Sequence, residues 1–389
     1  MIYKQFKDLK LSSLGLGAMR LTGATSGWGG PIHESAAEMV DYAYANGVNY
    51  YDTSYFYHGG ESESFLGKAL SRYPRDSWYL ASKFPGNMMS FTNGQIEISG
   101  KTYANPLEVF EFQMERCGVD YFDFFMLHNL AENTYGIYTD QQLGLIDCLL
   151  EQKAKGRIRH LGISSHGRHE TIDKFLTEMK ANGCNDFEFV MIQLNYMDWK
   201  LQEAGKKYEV ITNHGLPVFV MEPLRGGRLA DLGPDADALL KTVRPTDSHA
   251  AWAFRYLQSL DNVPVVLSGM SNLDQVKENI NLFSKHDPVT PQEVELLEQV
   301  LETFVDRIHC TTCGYCTEDC PKNLDIPTLL MMYNEAGFSM AWHLNAAIKM
   351  LKPEEKPSAC IFCGKCIPLC PQNIDIPDAL KKFNEIISS

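Results

Sequence analysis

Four ionisable side chains and eight thiols carry most of the chemistry this sequence offers. Asp52 and Tyr57 stand in YYDTSYFYHGGES, Lys83 in ASKFP and His128 in FFMLHN. A phenol is a poor acid near neutral pH. An ammonium at Lys83 would favour the phenolate of Tyr57, and a carboxylate at Asp52 would keep that ammonium charged. His128 would bond a substrate oxygen or share the proton. Together these groups suit reduction of a carbonyl compound, with Tyr57 as proton donor. Singly each has a plainer reading: a helix cap for Asp52, a loop aromatic for Tyr57, a solvated lysine and a satisfied core histidine. It is their joint placement that favours the chemistry.

The thiols fall in two runs. Cys310, Cys313, Cys316 and Cys320 lie in CTTCGYCTEDCP, and Cys360, Cys363, Cys366 and Cys370 in CIFCGKCIPLCP. A zinc site usually pairs two Cys-x-x-Cys hooks across a loop. Here three cysteines share one C-x-x-C-x-x-C run, with a fourth three residues on and then Pro, which is the spacing of [4Fe–4S] binding. Zinc and unliganded thiols are the competing readings. The scattered Cys117, Cys148 and Cys184 read as small core residues. The runs head a longer repeat: CTTCGYCTEDCPKNLDIPTLLMMYNE (310–335) aligns with CIFCGKCIPLCPQNIDIPDALKKFNE (360–385) at a shift of 50. Each Asp-Ile-Pro reads as a helix start, Asp capping and Pro in the first turn.

The elements that must position the four ionisable groups show in the periodicity. Short β-rich runs at 14–19, 48–54, 78–83, 121–128, 158–165, 187–195, 217–223 and 263–269 alternate with helical stretches such as 33–47, 61–73 and 140–156. Eight strand–helix units of this size predict a (β/α)8 (TIM) barrel of class α/β, with a doubly wound open sheet as the alternative. Asp52, Lys83 and His128 then end strands two, three and four, on the face where barrels do their chemistry. A helix at 291–307 follows, and a boundary just after it predicts domains at 1–305 and 306–389.

A net charge of −14 argues against a nucleic-acid partner. No run reaches the roughly eighteen apolar residues of a membrane span. MIYKQFKDLK lacks the apolar core of a signal peptide, so the expected address is cytoplasmic.

The four ionisable groups, in order, together with GISSHG (162–167), QLNY (193–196), MEPLRGG (221–227) and SGMSNLDQVKEN (268–279), closely resemble the aldo-keto reductases over residues 1–305. The tail resembles two-cluster ferredoxin domains of the α-helical type. The two parts together resemble the iron–sulfur-containing subgroup of that family. The resemblance implies NAD(P)H lying across the barrel mouth. Ser164, Ser165 and Gln193 would hold the nicotinamide amide. Pro223, Leu224, Arg225 and Gly227, in the 223–228 loop, would cover the pyrophosphate. Ser268, Gly269, Ser271, Gln275, Glu278 and Asn279 would meet the adenosine end. For the tail it implies crossed ligation, in which the fourth cysteine of each run serves the other cluster. Cys310, Cys313, Cys316 and Cys370 would hold one [4Fe–4S] cluster, and Cys360, Cys363, Cys366 and Cys320 the second.

Two positions depart from the family. The aromatic that usually stacks on the nicotinamide is replaced by Met221, followed by Glu222, which leaves room for a flavin. The segment Gly269, Met270, Ser271, Asn272 and Gln275 has no cation for a 2′-phosphate, which wants Arg or Lys. Either NADH is used, or Arg225, Arg228 or Lys277 supplies charge. Trp28 walls the substrate pocket, or acts as a lid or core residue.

The expected activity is NAD(P)H-dependent reduction of a small aldehyde or ketone. Clusters pass single electrons and nicotinamide a hydride, so an electron-transfer module exchanging with a partner protein or a bound flavin is the alternative. A cofactor-sensing regulatory subunit with structural clusters is a further one.

Overall fold

The computed structural model describes residues 1–21, 31–302, 308, 310, 314–338, 342–370 and 372–388. Trp28 and Cys313 lie outside the described residues. Two compact units are present, one of Met1–Asp231 with Arg244–Val294, the other of Leu232–Val243 with Glu295–Ser389.

In the first unit eight parallel strands close into the predicted barrel. They are β1 (Leu14–Gly17), β2 (Tyr50–Asp52), β3 (Tyr79–Phe84), β4 (Phe122–Leu127), β5 (Ile158–Ser165), β6 (Phe187–Gln193), β7 (Val218–Met221) and β8 (Val266–Ser268). Each pairs with the next in chain order, and β8 pairs with β1. Successive side chains on a strand face opposite sides. Phe124 and Met126 of β4 join Tyr50, Ala81, Phe189, Met191 and Phe219 inside the barrel. Phe125 faces outward instead, its ring 5.2 Å from that of Phe110. Gly162 of β5 makes room for this interior: a Cβ there would stand 2.6 Å from the Phe189 ring.

The bottom of the barrel is plugged by a hairpin that the sequence reading did not resolve. Tyr3–Phe6 pairs antiparallel with Leu9–Ser12. The Phe6 ring sits 5.4 Å from Phe124 and 5.6 Å from Phe219. Aromatic pairs of this kind add about 0.5–1.5 kcal/mol each beyond their burial. A second feature absent from the predicted pattern follows β3: Met89–Thr92, Gln95–Ile98 and Lys101–Tyr103 form an antiparallel side sheet. Its two-residue turns, Asn93-Gly94 and Ser99-Gly100, all take positive φ, the geometry that matches hairpin twist.

The helix Pro106–Cys117 shows how the outer layer is specified. Asn105 caps it by accepting from the Glu108 backbone N–H at 3.1 Å, Pro106 opens it, and Gly118 ends it at φ 62°. This helix carries Gln113 and Arg116 towards the site described below.

In the second unit the two copies of the repeat build a common core. Helices Ile326–Phe338 and Ile376–Ser388 each start from a capping aspartate, Asp325 accepting from Thr328 N at 3.3 Å and Asp375 from Asp378 N at 3.2 Å. Leu324, Ile326, Leu330, Ile374, Ile376 and Leu380 form the core. Left-handed residues recur at matching positions, Gly314 with Gly364 and Asn323 with Asn373. Among the described residues no helix is long and apolar enough to cross a membrane.

Candidate active site

Strand alternation sets the site. The inward series Tyr50, Ala81 and Phe124 continues upward as Asp52 at the end of β2, Lys83 in β3, and His128 one residue past β4. Lys83 and Asp52 are buried, and Lys83 Nζ lies 2.5 Å from Asp52 Oδ1. Lys83 Nζ also donates to the Thr53 carbonyl at 2.8 Å and stands 3.3 Å from Tyr57 Oη. The Tyr57 and His128 rings meet edge-on at 6.1 Å. His128 Nδ1 is 3.0 Å from Ser54 Oγ, which orients the ring. The four residues singled out in the sequence are therefore brought together at the carboxyl rim.

Electrostatics correct one expectation. Burial holds the Tyr57 phenol above its ordinary pKa; the Lys83 ammonium pulls it down, and the Asp52 and Glu222 carboxylates push it up. The predicted depression by Lys83 is outweighed, because burial penalises the phenolate more than the ammonium rewards it. Tyr57 therefore keeps its proton near neutral pH. Burial disfavours the Lys83 ammonium, but Asp52 and Tyr57 hold its pKa above the usual value. Burial, with the nearby Lys83 and His166, keeps His128 well below the usual imidazole value, hence neutral at pH 7.

A second buried network, missed in the sequence reading, braces this one. Glu63 is fully buried and accepts from Ser82 Oγ at 2.6 Å and Gln113 Nε2 at 2.8 Å. Arg116 Nε pairs with it at 3.2 Å. Gln113 also donates to the Lys83 carbonyl at 3.0 Å. Arg116 donates to the carbonyls of Tyr55, at 3.0 Å, and Gly60. One guanidinium thus ties the chain on both sides of Tyr57. The segment it ties turns left-handed at His58, Gly59 and Gly60, a conformation free to glycine but uncommon for a histidine. From the outside, Tyr103 of the side sheet bonds Tyr55 Oη at 2.9 Å.

The residues expected around a dinucleotide ring the same mouth. Ser164 and Ser165 are buried and bonded to the β4 exit: Ser164 Oγ accepts from Asn129 N at 3.0 Å, and Ser165 Oγ donates to the Leu130 carbonyl at 2.5 Å. Gln193 Nε2 donates to Asp198 at 2.8 Å. Asp198, fully buried and not anticipated, also accepts from Asn195 Nδ2 at 2.7 Å and from Arg225 Nε at 2.9 Å. Pro223 and Arg225 are buried, Leu224 and Arg228 half-buried, and Gly227 exposed. Past β8, Ser268 accepts from Asn279 Nδ2 at 3.0 Å and Gln275 accepts from Ser271 N at 2.8 Å, while Glu278 accepts from Ser248 at 2.5 Å. Lys277 stands 3.8 Å from Asp274, a carboxylate almost fully exposed. A cation the sequence reading passed over lies between these loops. A Cβ at Gly226 would stand 3.3 Å from the Arg20 guanidinium, and one at Gly269 would stand 3.4 Å from its Cδ. Its signal was an arginine three residues past β1, in GLGAMRL.

In the second unit one pocket is lined by Cys320 together with Cys360, Cys363 and Cys366. These are the four thiols of one expected crossed set. Cys316 and Cys366 are buried, and Cys310, Cys320, Cys360 and Cys370 pack partly buried against the same core. Among the described residues no three ligating side chains close on one point at ion-ligand spacing.

Comparison with known proteins agrees with this architecture. Residues 13–302 match the Aldo/keto reductase family, and residues 309–374 match a 4Fe-4S dicluster domain. The chain belongs to the aldo/keto reductase family. It is an oxidoreductase of the subgroup that carries a C-terminal iron–sulfur domain. An uncharacterized oxidoreductase of Bacillus subtilis, YqkF, is 24% identical over 323 residues, spanning 78% of this chain and 96% of its own. The NADH-specific methylglyoxal reductase of Escherichia coli is 24% identical over 330 residues, spanning 75% and 97%. The holo form of an aldo-keto reductase from Bacillus halodurans matches with a TM-score of 0.59 at 27% identity, covering 77% of this chain and 96% of that one.

Proposed function

We propose that this protein reduces a small aldehyde or ketone with NADH at the barrel mouth. The observation that carries this reading is the buried Lys83–Asp52 pair within reach of the Tyr57 hydroxyl, beside a neutral His128. The mouth fits a dinucleotide: Gly226, Gly227 and Gly269 are exposed and let backbone approach phosphate closely, with Arg20 between them. Ser164, Ser165 and Gln193 would hold the carboxamide, Arg20 and the 223–228 loop the pyrophosphate, and Ser271, Gln275 and Asn279 the adenosine. When bound, the nicotinamide supplies a hydride.

The chain's own groups do the rest. Tyr57, protonated by virtue of burial, gives its proton to the substrate oxygen. The Lys83 ammonium stabilises the phenolate left behind, and Asp52 keeps Lys83 charged and in place. His128 has Nδ1 against Ser54; its other ring nitrogen would orient the substrate oxygen. NADH is favoured over NADPH because two of the three cations named for a 2′-phosphate have carboxylate partners: Arg225 is paired with buried Asp198, and Lys277 stands near Asp274. An exposed Asp274 would also repel that phosphate.

For the tail we propose two [4Fe–4S] clusters in the crossed arrangement. The donors fit: all are soft thiols, and the pocket joins Cys320 of one run to three cysteines of the other. When bound, each cluster supplies one-electron chemistry. A second reading, electron exchange with a partner protein, is favoured by the exposure of Cys363.

The test is turnover of short aldehydes and ketones by anaerobically prepared protein, beside Tyr57→Phe. The variant should bind NADH unchanged by fluorescence but lose about 10²–10⁴-fold in rate. Equal turnover would overturn the reading. The same preparation should contain about eight irons per chain.

A further inference from the structure

The two cysteine runs share their spacing and turn residues but differ in the side chains between the cysteines. Gly314 and Gly364 match, as do Asn323 and Asn373 and the capping Asp325 and Asp375. These are the residues the fold needs. The residues between the second run's cysteines are different in kind. Ile361 is 53% exposed, Phe362 55% and Ile367 39%, and Cys363 beside them is exposed too. Their counterparts in the first run are Thr311, Thr312 and Thr317. The repeat is therefore its own control in sequence: the same cysteine spacing and the same Gly and Asn positions occur without apolar residues at these places. Phe362 also takes φ +57°, an unfavourable conformation for an aromatic residue.

Charge follows the same division. Glu318 and Asp319 of the first run are replaced by Pro368 and Leu369, and Tyr315 by Lys365. From 356 to 374 the chain carries Lys356 and Lys365 and no Asp or Glu, in a protein of net charge −14. Lys322 and Lys365 both line the pocket of Cys320, Cys360, Cys363 and Cys366.

We propose that Ile361, Phe362 and Ile367, with Lys365 and Lys322, form the docking surface for a small acidic one-electron carrier protein of the ferredoxin or flavodoxin kind. The inference rests on reading Cys320, Cys360, Cys363 and Cys366 as the ligands of one cluster. Interface centres are enriched in aromatic residues and depleted of carboxylates, and the lysines would steer an acidic partner. One electron crosses per encounter: the carrier is oxidised by one, the domain is reduced by one, and no atom or proton is exchanged.

The test uses anaerobically prepared, iron-loaded full-length protein titrated with a small acidic ferredoxin, and separately with a flavodoxin, by calorimetry at two salt concentrations. Wild type should bind at least one, more weakly at high salt. The pair Ile361→Thr and Phe362→Thr, which copies the first run, should weaken binding about 10–100-fold with iron content and visible spectrum unchanged. Lys365→Glu should weaken binding and reduce its salt dependence, and serves if the double variant loses iron. Undiminished binding by the variants would overturn the proposal, as would no binding of either carrier by iron-loaded wild type. Self-association of wild type that the same substitutions abolish would assign the surface to a second copy and overturn it equally. Wild type lacking iron would instead overturn the cluster reading itself.

Discussion

Breaking the Lys83–Asp52 pair from either side should cost far more than removing it whole. The side chains are 2% and 4% exposed at a separation of 2.5 Å, and Asp52 Oδ2 is buried with no hydrogen-bond partner. In Lys83→Met the carboxylate is left in the interior and escapes by binding a proton. Doing so at pH 7 against an unfolded pKa near 3.9 costs about 4 kcal/mol. In Asp52→Asn the ammonium faces a comparable penalty, so each single variant should lose about 3–5 kcal/mol. For a barrel of this size that is a fall in Tm of about 5–8 °C. The double variant leaves no buried charge and should recover most of the loss, while neither single nor double variant turns over substrate. The sign with pH is distinctive. In Lys83→Met, Asp52 is protonated when folded and ionised when unfolded, so between pH 7 and about 4 stability should rise on acidification by up to about 1.4 kcal/mol per pH unit relative to wild type. Urea unfolding of the four proteins at several pH values reads all of this. Single variants costing under about 1 kcal/mol, or a double variant no more stable than the worse single, would refute the buried coupling.

Arg116→Lys should lower kcat about 10–100-fold with far-UV circular dichroism unchanged, because a point ammonium cannot hold the Tyr55 and Gly60 carbonyls and Glu63 at once. His128 is held neutral when folded but takes a proton near pH 6.5 when unfolded. Its contribution is therefore complete above that pH and lost as pH falls, by up to about 1.4 kcal/mol per unit; urea titrations from pH 7.5 to 5.5 should show a slope that His128→Asn reduces. Arg20→Gln should raise the Kd for NADH about tenfold or more, by fluorescence titration, if its guanidinium meets the pyrophosphate.

The barrel was legible because its strands recur at even intervals between helices of a different period, and Asp52, Lys83 and His128 were legible because they sit at strand ends. The repeat announced the tail in the same way. Other features were written in the sequence but not taken up: Asn93-Gly94 and Ser99-Gly100 between short alternating runs signalled the side sheet. Some features had no local sign. Glu63, Gln113 and Arg116 look like ordinary polar positions of amphipathic helices, and only the packing of two helices against β3 buries Glu63 and Gln113 and covers most of Arg116. The pKa of Tyr57 depends on how much water the mouth admits, and no motif encodes that. Arg20 lay in plain view after β1, but its neighbours Gly226 and Gly269 are some two hundred residues or more away in the chain.

The side sheet gives the proposed reaction centre a strut of its own. Tyr103 grips Tyr55 two residues before Tyr57, from a meander that takes no part in closing the barrel. Insertions and substitutions in that meander can therefore shift Tyr57, the proposed proton donor, without disturbing the packed interior below. The enclosure has, in effect, an adjustment screw on its outer wall, and selection for a new substrate has somewhere to act that leaves folding alone.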